Sequence, residues 1–376
     1  MKISKFFNSI LAFLNNYIIG FGKEDNKEIR TFNALRLFFF LLIFLYHSSS
    51  YNKFKISAPA LGVSGFIILS GFLNGYLYND KYSKISIKEM FSFTLKRIKK
   101  FYPLHIIMLI VTISYSNIFN FTSFESVINW SKSLIKNILL IQSWWPYGYF
   151  SFNGVTWFLS SYLFLSLVTI PIMYLIRKMN KHGFIVIKSI LYLILIFGCS
   201  CFYVNFILTN KMNTEYYLYI FPPARIFEYI IGILLGNLYK EKLSKLRINN
   251  WLSFILFTLL EIFTIYIMYI FITRNPYNSI FAKYIHWRIN FWIIPTILCL
   301  IIFSYQKGLL SYIFKLSLFN ELGKLTMYMF LIHQPIINLF GRKVNHLKLF
   351  NIWLFILTIL FSIFYKKYSD NKKLVS

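Results

Sequence analysis

The chain has 376 residues, 57% of them hydrophobic and 21% aromatic, with a mean hydropathy of +0.59. These proportions exclude an ordinary soluble domain, and the continuous apolar runs exclude a transmembrane β-barrel, whose strands are short and alternating. The net charge of +28 does not indicate nucleic acid, because most Lys and Arg sit in short connections between apolar runs. There they set topology and meet anionic lipid headgroups.

Residues 1–30 read as an interfacial amphipathic segment followed by a charged patch at 23–30. Asn8, Asn15 and Asn16 interrupt the apolar start and no small-residue cleavage site follows, so no cleavable signal peptide is expected. The first span covers 32–46. The second, Pro59–Tyr78, carries Gly62, Gly65, Ser70, Gly71 and Gly75, and Gly71-x-x-x-Gly75 suits close packing of helices. A basic stretch at 81–100 precedes a third span at 103–119. The longest connection, 120–152, is rich in Trp and Tyr, has a candidate short helix at 133–141, and is expected to flank the acceptor site. Further spans are expected at 154–176, 184–206, 216–238, 250–273, 287–304, 323–340 and 349–365.

The fold expectation is therefore an all-α, polytopic integral membrane protein of about ten transmembrane helices. With the N-terminus inside, Lys and Arg concentrate on the inner connections, which places both termini in the cytoplasm by the positive-inside rule. The domain reading is an N-terminal interfacial and cytoplasmic segment at 1–30, one transmembrane domain at 31–366 and a short cytoplasmic tail at 367–376. No second domain is expected after the last span. Cys199, Cys201 and Cys299 form no CxxC pair and have no His at ligand spacing, so neither a disulfide nor a metal site is expected.

The polar residues inside apolar spans carry the functional signal. Arg36 and His47 are eleven residues apart, about three helical turns, so they share one face roughly 16 Å apart along the axis. Arg in a membrane helix costs about 2.5–3.5 kcal/mol on insertion scales. Either Arg36 snorkels and His47 makes an interhelical hydrogen bond, or the two serve a reaction. Arg225 and Glu228, three apart, can pair on one face as a structural pair or as the wall of a polar cavity. Glu261 has no obvious partner in the sequence. His105, His182, His286 and His346 lie near span ends.

Several motifs stand in order along the chain. They are Asn33-Ala-Leu-Arg36 with His47, Gly62-Val-Ser-Gly-Phe-Ile-Ile-Leu-Ser-Gly-Phe72, and Arg97-Ile-Lys-Lys-Phe-Tyr-Pro103. Val155-Thr-Trp-Phe-Leu-Ser160, Pro223-Ala-Arg-Ile-Phe-Glu228 and Leu322-Gly-Lys-Leu-Thr-Met-Tyr-Met-Phe-Leu-Ile-His333 follow. The succession, across about residues 31–340, resembles the membrane acyltransferase-3 family, whose members O-acetylate cell-envelope glycans and related molecules. The resemblance implies an O-acyltransferase that uses acyl-CoA, most simply acetyl-CoA, as co-substrate, with no permanently bound cofactor. It implies a surface glycan as acceptor, capsule or other polysaccharide leading. Nothing in the sequence sets an oligomeric state.

The residues suit that chemistry. His47 can deprotonate a sugar hydroxyl near neutral pH or carry the acyl group as a transient nucleophile. Arg36 can hold a phosphate or carbonyl oxygen of the donor. Arg97 and Lys100, one turn apart, either anchor topology or meet CoA phosphates. The family pattern has a second Arg where Lys100 stands, so bidentate binding there is reduced to a point charge. Ser70, Gly71, Phe72, Trp157, Arg225 and Glu228 are assigned by their motifs to substrate binding, although Ser70 suits helix packing equally. His333 reads as a hydrogen-bonded structural residue. Two positions depart from the family pattern: Asn33 where Asp is frequent, and Tyr162 where Glu is frequent. Both keep hydrogen bonding and lose charge. The second reading is a transporter or flippase for a lipid-linked glycan. It draws less support, because neither paired halves nor broken helices are evident.

Overall fold

The computed structural model describes residues 28–48, 58–78, 81–82, 84–115, 123–180, 183–246, 250–273, 290–344 and 349–375. The interfacial segment expected at 1–22, and His182, His286 and His346, lie outside them. Among the described residues the chain is mostly helical and has no strand. Six helices are long and apolar enough to cross a membrane, or seven if one bent pair counts as a single span. The chain is thus a multi-pass helical membrane protein.

Helix α1 (Thr31–Ser48) is the centre of the bundle. Phe32, Leu35, Phe39 and Leu42 fall at helical spacing on one face and join one apolar core. Leu37, Phe40 and Phe44 face the other way and join a second. A helix that is apolar on both faces packs on both. Helix α2 (Pro59–Tyr78) packs on the first face and α12 (Ser317–Val344) on the second. The remaining helices are α3 (Ile87–Lys99), α4 (Tyr102–Tyr115), α5 (Phe124–Ile138), α6 (Trp157–Asn180), α7 (Ile185–Thr209), α8 (Ile226–Glu241), α9 (Asn250–Thr273), α10 (Asn290–Ser304), α11 (Leu309–Phe314) and α13 (Phe350–Val375). Helices α7 and α9 form the periphery, with large apolar side chains such as Phe202 and Leu259 exposed.

Glycines set the closest contact. A Cβ on Gly71 would meet the Tyr229 carbonyl oxygen and one on Gly75 that of Ile233. One on Gly232 or Gly236 would meet the carbonyl oxygens of Ile68 or Phe72. Gly71-x-x-x-Gly75 of α2 therefore faces Gly232-x-x-x-Gly236 of α8, and the two helices run in the same direction with backbones touching.

Three elements differ from the sequence expectation. The basic stretch before the third span is helical: Ser86 caps α3 by accepting from the Glu89 N–H at 3.4 Å, and Phe93, Thr94 and Ile98 turn inward. Helices α3 and α4 then meet at a 53° bend. The connection after the third span contains a full helix, α5, with a Ser123 capping box, rather than a short helix at 133–141. The sixth span is broken. A π turn at Tyr216–Ile220 and a 3-10 turn at Pro222–Arg225 precede α8. Pro222 and Pro223 lack the N–H donors a helix requires, and Phe221 before them is extended. Glu261 has partners that its sequence neighbourhood did not reveal. Its carboxylate accepts from the Leu310 N–H (2.8 Å), the Ser311 N–H (3.2 Å) and the Ser311 hydroxyl (2.5 Å), closing the start of α11.

Candidate active site

Helix α1 carries Arg36 towards one end and His47 towards the other, and each end is built differently. At the Arg36 end a cavity of about 480 Å³ opens among α1, α2, α3, α6 and α12. Five cationic side chains line it, Arg36, Lys96, Arg97, Lys100 and Lys324, and no carboxylate does among the described residues. Gly323 admits α12 at this level, since a Cβ there would meet the Asn33 backbone. The cavity thus draws its charge from three helices and the α3–α4 bend.

The two arginines are held by neutral acceptors. Arg36 donates from Nη1 to Asn33 Oδ1 at 2.5 Å. Asn33 in turn donates to Glu28 (2.9 Å) and to Asn320 (2.6 Å), so Glu28 reaches Arg36 through an intervening amide. Arg97 donates from Nη1 to the Tyr162 hydroxyl at 3.2 Å and from Nη2 to Asn74 Oδ1. Asn74 donates to the Tyr229 hydroxyl (2.5 Å), which lies 2.6 Å from Thr169 Oγ1. The Arg97 guanidinium also stands 4.3 Å from the centre of the Phe93 ring. Both forks are therefore oriented by neutral side chains. Lys324, at the rim, pairs with a carboxylate, Glu321 at 3.1 Å, which also meets Lys366 at 3.4 Å.

Towards the other end the cavity is bounded by Phe66, Phe158 and Phe330. Phe158 and Phe330 meet edge-on at 5.3 Å, and Phe330 lies 5.7 Å from the His333 ring. His333 in turn lies 5.3 Å from the His47 ring. An aromatic layer thus separates the basic cavity from the two histidines. His47 is half-buried between Tyr46 and His333, and His333 is fully buried.

The connection 139–156 docks at this end through a gap in α12. Pro335 has no N–H, so the carbonyl of Leu331, four residues earlier, has no intrahelical donor. Asn153 Nδ2 supplies one at 2.9 Å in a buried contact. Within the connection Gln142 donates to Thr156 O (2.9 Å), Ser143 to Trp157 O (2.9 Å) and Asn137 to Ser151 Oγ (2.8 Å). His105 Nε2 lies 2.9 Å from Asn137 O, so that histidine is accounted for by packing.

The structure brings Arg36, Ser70, Arg97 and Lys100 together on one cavity and places His47 beyond the aromatic layer. It places the other sequence candidates elsewhere. Gly71 is in the α2–α8 contact. Phe72 is buried against Phe32 and Tyr239. Trp157 is buried against Tyr219 and Phe158. Arg225 and Glu228 form a fully buried ion pair at 2.8 Å, with Ser64 Oγ 3.5 Å from Arg225 Nη2 and the Tyr219 ring beneath the guanidinium. Removing one member of such a pair costs about 3–5 kcal/mol by stranding the other. It pins the start of α8 after the break. Sequence reading missed Lys96, Asn74 and Lys324 as cavity residues. The amphipathic pattern of α3 was the available signal for Lys96.

Fold and site together define a helical multi-pass membrane protein with a basic cavity at one end of a central helix and a histidine at the other. A family profile described as an acyltransferase domain matches residues 29–365, and the chain belongs to that family, acyltransferase-3. A Staphylococcus aureus (strain COL) protein named "Putative O-acetyltransferase" is 27% identical over 180 residues, covering 44% of this chain and 29% of that protein. Proteins of the same name from strains MSSA476 and MRSA252 are 26% identical over the same shares. The chain thus spans less than a third of the length of these relatives. No solved structure matches the chain.

Proposed function

We propose that this protein is an integral-membrane O-acyltransferase that moves an acyl group, acetyl by default, from cytosolic acyl-CoA to a hydroxyl of a cell-surface polysaccharide or its lipid-linked precursor. The observation that carries the reading is the cavity, with five cations and no carboxylate among its described lining residues, on the helix that bears His47. Phosphates are the anions such forks and point charges recognise. The family and the name of the Staphylococcus relatives support acetyl transfer.

In this reading ten spans cross the cell membrane, both termini and the Arg36 end face the cytosol, and the 120–152 connection lies outside. Arg36, Arg97 and Lys100 hold donor phosphate and carbonyl oxygens, with Ser70 beside them. Gly71, Phe72 and Trp157 shape the walls from behind, and Arg225 with Glu228 fixes the broken span that backs them. The thioester, at the end of a long thin arm, passes the Phe66–Phe158–Phe330 layer towards His47. His47 takes the proton of the acceptor hydroxyl as its oxygen attacks the thioester carbonyl. The C–S bond breaks, and the departing CoA sulfur takes the proton from His47. If His47 instead carries the acyl group, its nitrogen attacks the thioester carbonyl, the C–S bond breaks and CoA leaves as the thiol with the imidazole proton. The hydroxyl then attacks the acyl-imidazole, the C–N bond breaks and the hydroxyl proton returns to the imidazole. CoA is a co-substrate throughout.

The test compares surface glycan from cells with and without the gene. Loss of O-acetyl with the glycan still exported supports the enzyme; loss of the glycan itself supports a transporter of lipid-linked glycan. Cysteine-accessibility labelling tests the orientation: 84–100 and the C-terminal helix end are expected to label from the cytosolic side and 139–152 from outside. Outside labelling of 84–100 would overturn the donor side.

A further inference from the structure

We infer that His333 is a positioning residue for His47, offering its open Nε2 lone pair to the His47 ring N–H when substrate is bound, so that the other ring nitrogen faces the acceptor hydroxyl or the acyl carbon. The inference rests on the reading of His47 as base or acyl carrier and adds to it the group that orients that ring.

The Phe330 carbonyl fixes the tautomer of His333. Its Nδ1 lies 2.7 Å from the Phe330 carbonyl oxygen. A carbonyl only accepts, so Nδ1 carries the hydrogen and, in the neutral ring, Nε2 carries a lone pair. That Nε2 is buried and has no hydrogen-bond partner among the described residues. A buried orphan acceptor is uncommon and calls for a reason. Four aromatic rings pack on His333: Phe40 at 5.5 Å, Phe44 at 6.4 Å, Phe330 at 5.7 Å and His47 at 5.3 Å. Three of them have no polar atom. His47 is the one that carries an N–H, and it meets His333 edge-on, with 72° between the planes.

Helix α12 holds this arrangement in place. It runs parallel to α1, touching it at Gly323 beside Asn33 and at His333 beside His47. Asn153 fixes the carbonyl of Leu331, two residues before His333. His333 is thus a rigid acceptor beside a half-exposed ring that has to present one chosen nitrogen. A neutral imidazole has one N–H and one lone pair, and the bond made by the first decides where the second points. When His47 gains a proton in the reaction both of its ring nitrogens become N–H donors, so the open Nε2 of His333 is offered a stronger donor as the chemistry proceeds.

The test uses the full chain in membranes at matched protein level, with acyl-CoA as donor and the native glycan as acceptor. His333→Gln puts an amide oxygen near the Nε2 position and keeps an acceptor for His47. His333→Asn keeps an N–H for the Phe330 carbonyl and has nothing at the Nε2 position. Gln is expected to stay within about fivefold of wild type, and Asn to lose at least about 30-fold in kcat with the KM for acyl-CoA within about twofold. Retention by Asn with loss by Gln would assign His333 to its bond with Phe330 and overturn the inference. So would wild-type kcat in both. An Asn variant that fails to accumulate counts with the overturning results, because it gives Nε2 a role in folding. His47→Gln is measured alongside. Activity there would remove the reading of His47 itself, whereas loss there with retention in His333→Asn would remove only this inference.

Discussion

The two ends of α1 handle polarity in opposite ways. At the Arg36 end cationic side chains are gathered, and the neutral side chains Asn33, Asn74 and Tyr162 orient the two arginines. At the His47 end the described residues place two imidazoles among phenylalanine rings. The first arrangement suits binding, since preorganised forks attract an anion at range and hold it in one geometry. The second suits proton transfer or acyl capture, which need a titratable nitrogen shielded from water. The aromatic layer of Phe66, Phe158 and Phe330 keeps the two environments apart. Variants at the two ends are therefore expected to fail in different kinetic parameters.

The largest effect is expected at His47. If its work were interhelical hydrogen bonding, a glutamine amide would replace much of it. Neither Gln nor Asn accepts a proton near pH 7. His47→Gln is expected to insert and accumulate normally and to lose acetyl transfer by at least about 10²-fold, the scale of a lost general base. Acetyl incorporation into glycan, in membranes matched for protein, is the measurement. Substantial activity would leave His47 as a packing residue.

The next effect lies at the opposite end and in the other parameter. Changing Arg97 and Lys100 together to Gln removes two cations from the cavity lining. The KM for acyl-CoA is expected to rise about tenfold or more while kcat changes less, the signature of lost ground-state binding. An unchanged KM with normal insertion would return the pair to a topology signal. Arg36→Lys is expected to be milder, because charge survives and only the planar fork is lost.

A finer test asks whether the missing carboxylates matter. The two departures from the family pattern, Asn33 and Tyr162, fall on the residues that hold Arg36 and Arg97. Tyr162→Glu would set a carboxylate against Arg97 and offset part of the charge offered to the donor. A partly exposed pair of this kind is worth about 1 kcal/mol, which predicts a KM for acyl-CoA about fivefold higher. A lower KM would mean that Arg97 needs a carboxylate to be aimed.

The difference between the ends also explains what the sequence disclosed. Arg36 and His47 were visible as a pair because helical periodicity is simple arithmetic, and Asn33 sits three residues from Arg36, within reach on one face. The α3 helix was obscured by its own charge: the Lys and Arg that anchor topology drew attention away from Phe93 and Ile98 at inward spacing. The break before α8 was written in Pro222-Pro223 but overridden by the apolar run around it. Glu261 was opaque for a deeper reason. Two of its partners are backbone N–H groups some fifty residues away, at Leu310 and Ser311, and no side-chain pattern announces a backbone donor. The edge-on contact of His47 with His333 depends on how α12 lies along α1, which local sequence does not encode.

The smallest expected effect concerns the connection that docks beside His333, and a double-mutant cycle isolates it. Asn153 donates to the Leu331 carbonyl, the group that Pro335 deprives of its intrahelical donor. Asn153→Ala alone leaves that buried carbonyl unsatisfied and is expected to cost about 1–3 kcal/mol, read as a lower melting temperature in detergent. Pro335→Ala restores an N–H four residues after Leu331, so the helix can close its own bond. If Asn153 acts through that carbonyl, Asn153→Ala costs less in the Pro335→Ala background than in wild type, and the coupling is of order 1 kcal/mol. Equal costs in both backgrounds would show that Asn153 stabilises the connection by other contacts. The readout is independent of activity, so it tests the anchoring of the connection whatever reaction the protein performs.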